Sequence, residues 1–366
     1  MNSTLKVGVV GGGLIAQAMH LPYLSAHRSR FELAALAEPS QTVREALGAR
    51  YGIAGLHADY RSLLDAGGLD AVVICSPAGT HAEVVIAALD SGLHVLVEKP
   101  MCITLADADA IIAARDKAGR IVQVGTMKRY DPAYEALLAD LPESADELRY
   151  ISVVVNDPEF APYFGPDEVV RGTDIPQDLI DATRRAESEQ VEAAVGSGEP
   201  DVVRAFSESF LGSLLHDLNA VHGLLERMGE PLPAEVIAGD WWNEGRAVSG
   251  SVRLANGARF DGTWIQVLET YEYRETITLI FDHSVRTLEF PSPWLKQFPT
   301  VYRRSQAAGG MNDVRIAESY DEAFSRELVH FHGCLVDGTP CRTPPEQARV
   351  DIDVLTRMFL ASSKSS

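Results

Sequence analysis

A short β-rich run, Leu5 to Val10, ends in three consecutive glycines, Gly11, Gly12 and Gly13, and the residues from Ala16 to Leu24 then follow a helix-compatible order. Strand, glycine turn and helix in that sequence bring bare backbone to the start of a helix, where unsatisfied N–H groups and the positive dipole end attract an anion. The alternation continues. Phe31 to Ala37 reads as a second strand ending at Glu38-Pro39, and Thr42 to Tyr51 as a helix closed by Gly52. After a helix around Tyr60 to Asp65, Ala71 to Cys75 is a continuous apolar strand of the kind buried on both faces by helices. Pro77 breaks that strand, and Thr80-His81-Ala82-Glu83 has capping-box spacing ahead of a helix to Asp90. Strand His94 to Val97, helix Leu105 to Lys117 and strand Ile121 to Val124 complete the pattern. Six strands separated by helices predict a doubly wound parallel sheet, a Rossmann domain over residues 1–127.

The second half, residues 128–366, follows another pattern. Tyr150 to Val155 reads as a strand with no helix alternation after it, and the stretch from Asp157 to Glu208 carries 13 acidic and 4 basic residues, so it must be largely solvated. Within it Pro176 opens a helix to Val195 stopped by Gly196, expected to cover a substrate cleft. A helix from Phe210 to Met228 precedes strands at 235–239, 247–254, 258–266, 276–281 and 285–290, with Asn256-Gly257 and Asp282-His283 at the hairpin turns. Helices from Asp321 to Leu335 and Pro345 to Phe359 close the chain. The expected fold is therefore α/β: a Rossmann sheet, then an α+β domain with an open, mainly antiparallel sheet.

Charge excludes some partners. With 52 acidic against 32 basic residues, a net charge of −20 repels nucleic-acid phosphates and anionic lipid. No uncharged apolar run approaches the ~20 residues of a membrane helix, so no membrane is expected. Lys6 before an apolar stretch superficially suggests a signal peptide, but Gly8 and the glycine triplet interrupt it. The four cysteines, Cys75, Cys102, Cys334 and Cys341, form no C-x-x-C pair and fit a reducing cytoplasm. His330 and His332 point to different faces of one helix and lack ligand spacing, so no metal is expected.

Gly11-Gly12-Gly13-Leu14-Ile15-Ala16 fits G-x-G-x-x-A, and Glu38 lies 22 residues beyond Ala16, where a carboxylate can accept from the adenosine ribose hydroxyls. Such a carboxylate repels a 2′-phosphate, which favours NAD over NADP; Ser40 and Arg44 nearby keep NADP open. Val97-Glu98-Lys99-Pro100 ends the fifth strand beside Pro77, Thr80 and His81. Neighbouring strand residues face opposite sides, so Glu98 and Lys99 divide their roles between cofactor and substrate. On the helix from Phe210, leucines form a buried stripe while Gly212, His216, Asn219 and Gly223 fall on a small polar face. There His216 can assist proton transfer, bind a substrate hydroxyl, or simply be satisfied by a neighbour; Asp217 and His222 are weaker candidates.

These residues, with Ser76-Pro77, Thr80-His81 and above all Glu98-Lys99-Pro100, resemble the Gfo/Idh/MocA oxidoreductases, as do Glu327-Leu328 through Phe331 and Asp351 to Met358. The resemblance implies hydride exchange between NAD(P) and a secondary hydroxyl or ketone of a sugar or cyclic polyol. It implies Gly11, Gly13, Leu14, Ile15, Ala16, Glu38, Ser76, Pro77, His81, Glu98 and Lys99 as cofactor contacts, Lys99 and His216 as catalytic, and Lys99, Arg129, His216 and Asn219 as substrate contacts. It also implies a homo-oligomer, dimer or tetramer, built on the open sheet. The chain departs from the family's Asp-x-x-x-His-x-x-Asp helix, placing Gly212 and Asn219 where aspartates belong. Two other readings stay open, redox-assisted glycoside cleavage with tightly bound NAD and, because of the missing aspartate, a non-catalytic nucleotide sensor.

Overall fold

The computed structural model describes residues 4–158, 164, 169–232 and 235–362. The chain divides into two compact units. The first joins residues 1–125 with 164–190 and 324–348, and the second joins 126–163, 191–323 and 349–366. The first unit is thus assembled from three stretches rather than from a continuous 1–127.

In the first unit, six parallel strands lie in the order β3-β2-β1-β4-β5-β6: β1 Leu5–Val10, β2 Phe31–Ala37, β3 Gly55–His57, β4 Ala71–Ile74, β5 His94–Glu98 and β6 Val122–Gly125. The sequence reading assigned no residues to the sixth strand, which is β3, only three residues long. Between the strands run π-helical Ala16–His20 continuing as α1 Leu21–Ala26, then α2 Gln41–Tyr51, α3 Tyr60–Ala66, α4 His81–Asp90 and α5 Leu105–Ala118. The expected capping box does not form at α4. The Thr80 hydroxyl donates to the Pro77 carbonyl (2.7 Å) within a 3-10 turn, and Glu83 accepts from Tyr60 (2.6 Å). Val9, Val73 and Leu96 are fully buried in the sheet. The core is completed from far along the chain by Leu328 and Phe331, both at 0% exposure, on the helix Ala323–Val336.

The second unit is built on an eight-stranded sheet, β14-β13-β12-β11-β7-β10-β9-β8, antiparallel except between β7 Leu148–Pro158 and β10 Arg259–Val267. The other strands are β8 Glu235–Trp242, β9 Ala247–Arg253, β11 Arg274–Phe281, β12 Ser284–Phe290, β13 Thr300–Ala308 and β14 Met311–Ser319. The last two were not expected. They are largely polar, with β14 at the sheet edge and β13 between it and β12, and both are pinned by Asp140 at the end of α6 (Pro132–Asp140), which binds Tyr302 (2.5 Å), Arg304 (2.7 Å) and Arg315 (3.3 Å). After α7 (Gln177–Val195) and α8 (Pro200–Val203), a π-helical stretch, Arg204–Leu214, runs directly into α9 (Leu215–Arg227). The closing helices are α10 (Ala323–Val336) and α11 (Pro345–Ser362). Gly250 lies so close to α11 that an added Cβ would meet the Met358 sulfur at 2.4 Å. Among the described residues, no helix is long and apolar enough to cross a membrane.

Candidate active site

Register assembles the site in the first unit. Val10 of β1 pairs with both Ala37 and Ile74, Ile74 with Val97, and Glu98 with Gly125, so the strands end level with one another. The residues that follow at the central strand ends, Gly11, Glu38, Cys75 and Glu98-Lys99, therefore share one rim. The sheet order reverses between β1 and β4, and open parallel sheets bind ligands outside the strand ends at such a switch point.

Each glycine of the first loop has its own reason. Gly11 has φ +94°, and a Cβ there would sit 2.6 Å from the Cys75 carbonyl oxygen. A Cβ on Gly12 would press on Leu47 and Val43 of α2 at 3.0 and 3.2 Å. Gly13 is different. Nothing lies within 4 Å of where its Cβ would be, so the protein's own packing does not demand a glycine. The Gly13 carbonyl accepts from Gln17 N–H (3.0 Å) as the helix begins, and Ala16 is fully buried behind the loop. Leu14 and Ile15 are half-buried, with Ile15 against the core. An exposed, unobstructed glycine at a helix start fits a pyrophosphate lying against backbone.

Glu38 is buried, its carboxylate accepting from Gly12 N–H (2.8 Å) and Ser40 N–H (2.9 Å). These bonds fix a carboxylate beside the glycine loop, where a ribose would lie. On the opposite side of β1, the Ser76 hydroxyl bonds Thr80 (2.7 Å) and Pro77 is exposed. His81 is buried, with Nδ1 2.7 Å from the Pro100 carbonyl and Nε2 2.7 Å from the Ser76 carbonyl. It ties the loop after β4 to the loop after β5. Burial lowers its pKa while the two carbonyls pull the other way; a neutral ring, with one N–H, satisfies one carbonyl at a time.

Glu98 and Lys99 separate as alternation requires. Glu98 is buried against His20 (2.6 Å) and accepts from the Lys99 backbone N–H (3.1 Å), whereas the Lys99 side chain is half-buried and precedes a cis peptide to Pro100. Burial alone would raise the Glu98 pKa; the His20 ring and Lys99 bring it below the ordinary carboxylate value. Behind it lies Glu327 of α10, fully buried and pushed well upward by burial and by the Glu98 charge. The sequence reading missed His20 and Gln17. Their only signal was two polar side chains three apart on an otherwise apolar helix, directly after the glycine loop.

The second unit holds the remaining candidates. Asn219 is buried, its amide donating to Asp351 (2.6 Å), which also accepts from His222 Nδ1 (2.7 Å). Burial lowers the His222 pKa, but Asp351 outweighs it and the net shift is upward. Arg129 is buried, donating to the Asn219 carbonyl (3.3 Å) and pairing with Glu226 (3.5 Å). Asp217 takes the Lys128 ammonium (2.9 Å), which also pairs with Glu275. His216 is half-buried near the start of α9. Gly212 lies in the preceding π turn, whose i→i+5 bonding rotates it out of strict α-helical alignment with His216. Lys99 and His216 belong to different units.

A parallel sheet with this strand order, a glycine loop at the switch point and a carboxylate at the end of β2 defines a dinucleotide-binding fold. Residues 5–126 match the Gfo/Idh/MocA family, described as an oxidoreductase family with an NAD-binding Rossmann fold. Inositol 2-dehydrogenase of Streptomyces avermitilis is 39% identical over 139 residues, which is 37% of this chain and 40% of that protein. The enzyme of the same name from Paracoccus denitrificans is 38% identical over 136 residues, 37% of this chain and 40% of that protein. The match thus spans about two fifths of the length of these curated relatives. Solved structures share the fold over the whole chain. A 3-ketoreductase from Actinomadura kijaniata in complex with NADP and TDP-benzene superposes with a TM-score of 0.73 at 17% identity, covering 98% of each chain. A putative myo-inositol dehydrogenase from Sinorhizobium meliloti gives 0.70 at 18%, covering 99% of this chain and 98% of that one.

Proposed function

We propose that this protein is a nicotinamide-dependent dehydrogenase acting on a secondary hydroxyl, or the corresponding ketone, of a sugar or cyclic polyol. The observation that carries the reading is the strand register, which brings Gly11 to Gly13, Glu38, Ser76 and Lys99 to one rim of the sheet. NAD is the favoured cofactor, and when bound it supplies the hydride acceptor or donor. The chain's residues position it: the glycine loop and helix start hold the pyrophosphate, Glu38 the adenosine ribose, and the Ser76-Pro77 loop the half facing Lys99.

Lys99 Nζ holds the proton that leaves or returns to the substrate hydroxyl. The positive charge of an oxidised nicotinamide held beside it would disfavour the charged ammonium and suit it to that exchange. Glu98 keeps β5's end fixed through His20. His216, half-buried near the start of α9, is the second proton-handling candidate, since an imidazole can both give and take a proton near neutral pH. The relatives named inositol 2-dehydrogenase support a polyol substrate.

The test is Lys99→Met, with nicotinamide absorbance followed over a panel of polyols and sugars and NAD binding measured by calorimetry. Turnover is expected to fall by about 10³-fold or more, with NAD affinity kept within about threefold. Normal turnover in the variant would refute the role of Lys99. Nucleotide binding by the wild type without turnover on any substrate would refute the dehydrogenase reading.

A further inference from the structure

The acidic excursion was expected to cover a substrate cleft, but its described contacts within the first unit are with the dinucleotide loops. Three attachments are made. The Gln17 carboxamide pairs with Val170 in both directions, accepting from its N–H (2.8 Å) and donating to its carbonyl (3.0 Å), while also donating to the Gly12 carbonyl (2.7 Å). Asp174 accepts from the Ser40 hydroxyl (2.5 Å) and from Thr42 N–H (3.0 Å) at the start of α2. Gln190 donates to the Gly79 carbonyl (2.8 Å), and Glu187 packs so closely there that a Cβ on Gly79 would lie 3.2 Å from it. Each attachment falls on one of the three loops that border the groove: the glycine loop, the turn after Glu38, and the turn after Pro77.

Resting on the dinucleotide reading, we propose that residues 170–190 are a clasp along the nucleotide groove and that Asp174 is the residue by which this protein rejects a 2′-phosphate. A phosphate on the adenosine ribose would lie beyond Glu38, against the N-terminus of α2. The groups that would receive it there are already engaged. Ser40 N–H is bound by Glu38, Val43 N–H by the Ser40 hydroxyl, and Thr42 N–H by Asp174. Arg44, the nearby cation that sequence alone offered in favour of NADP, donates instead to the carbonyls of Glu38 (2.5 Å) and Pro39 (3.3 Å). A phosphate carrying about −1.5 to −2 at neutral pH would face two carboxylates and find its amides occupied. The Ser40 and Thr42 bonds hold the Asp174 carboxyl near pKa 2, so this charge persists across the working range. Backbone closeness makes the arrangement possible: a Cβ on Gly172 would fall 2.0 Å from the Ser40 hydroxyl oxygen. A 2′-hydroxyl meets none of these obstacles.

The test is equilibrium binding of NAD and NADP to the full chain by calorimetry, in the wild type and in Asp174→Asn, which keeps the shape and removes the charge. Adenosine 2′,5′-bisphosphate against ADP serves as a probe free of nicotinamide and of turnover. Wild type is expected to prefer NAD, and the variant to narrow the NAD/NADP ratio by about tenfold, mainly through tighter NADP, with the bisphosphate following. A ratio unchanged within about twofold, or a wild type that prefers NADP, overturns the role of Asp174 and leaves the dehydrogenase reading intact. A wild type that binds neither dinucleotide overturns both.

Discussion

Alanine at Gly11 and alanine at Gly13, two residues apart in one loop, should produce opposite failures. At Gly11 the backbone has φ +94°, which an L side chain adopts at about 1–2 kcal/mol. The new methyl would also meet three backbone atoms, the Cys75 carbonyl oxygen and carbon and the Ser76 nitrogen, at 2.6, 2.7 and 2.8 Å. Backbone cannot swing aside as a side-chain tip can, so β1 and β4 must part locally, an overpacking cost of about 1–3 kcal/mol. The total of about 2–5 kcal/mol corresponds to a fall in melting temperature of roughly 3–7 °C for a chain this size. At Gly13 there is no atom within 4 Å and no positive φ, so alanine should leave the melting temperature within about 2 °C. Its methyl would instead stand in the path of the pyrophosphate and weaken NAD binding by about ten- to a hundredfold. Thermal melts of the nucleotide-free variants and NAD titrations separate the two effects. A Gly13→Ala protein that binds NAD as the wild type does, or a Gly11→Ala protein that melts normally, would refute this division of roles.

Glu327 has its pKa raised by burial and by Glu98, so the folded state holds its proton where the unfolded chain releases it, and stability falls with rising pH above the ordinary value of 4.5 by about 1.4 kcal/mol per unit until the raised pKa is reached. Glu327→Gln removes that slope; its advantage in melting temperature over the wild type should grow from pH 5 to pH 8, and parallel curves would count against a neutral Glu327. In the second unit, Asp351→Asn should cost about 3 kcal/mol by unpairing His222 and weakening the hold on Asn219. Because the His222 pKa is raised, its share is complete below about 6.5 and is lost as pH climbs through the folded value, so denaturant midpoints of wild type and variant should differ more at pH 6 than at pH 9. An equal gap at both would place the stabilisation elsewhere than the His222 charge.

What could be read from the chain was what is local. The glycine turn, the strand that ends at Glu38 and the buried run from Ala71 announce themselves within a dozen residues, because side-chain period and turn chemistry are short-range properties. What escaped was long-range. Asp174 meets Ser40 across 134 positions and His20 meets Glu98 across 78, and no periodicity encodes such pairs. Strands β13 and β14 escaped for another reason. β14 is exposed at the sheet's edge, β13 beside it carries Arg303 and Arg304, and both are held through Asp140 rather than by an apolar stripe of their own. The π turn ahead of His216 was hidden too, since its leucines suit an α-helix equally well.

The three-stretch assembly of the first unit bears on how the chain is made. A ribosome delivers β1 to β6 long before Leu328 and Phe331 emerge, so the nascent sheet must wait some two hundred residues with one flank of its core uncovered. Expressed alone, residues 1–127 would carry that greasy flank permanently and should clump unless α10 were fused back or supplied as a peptide.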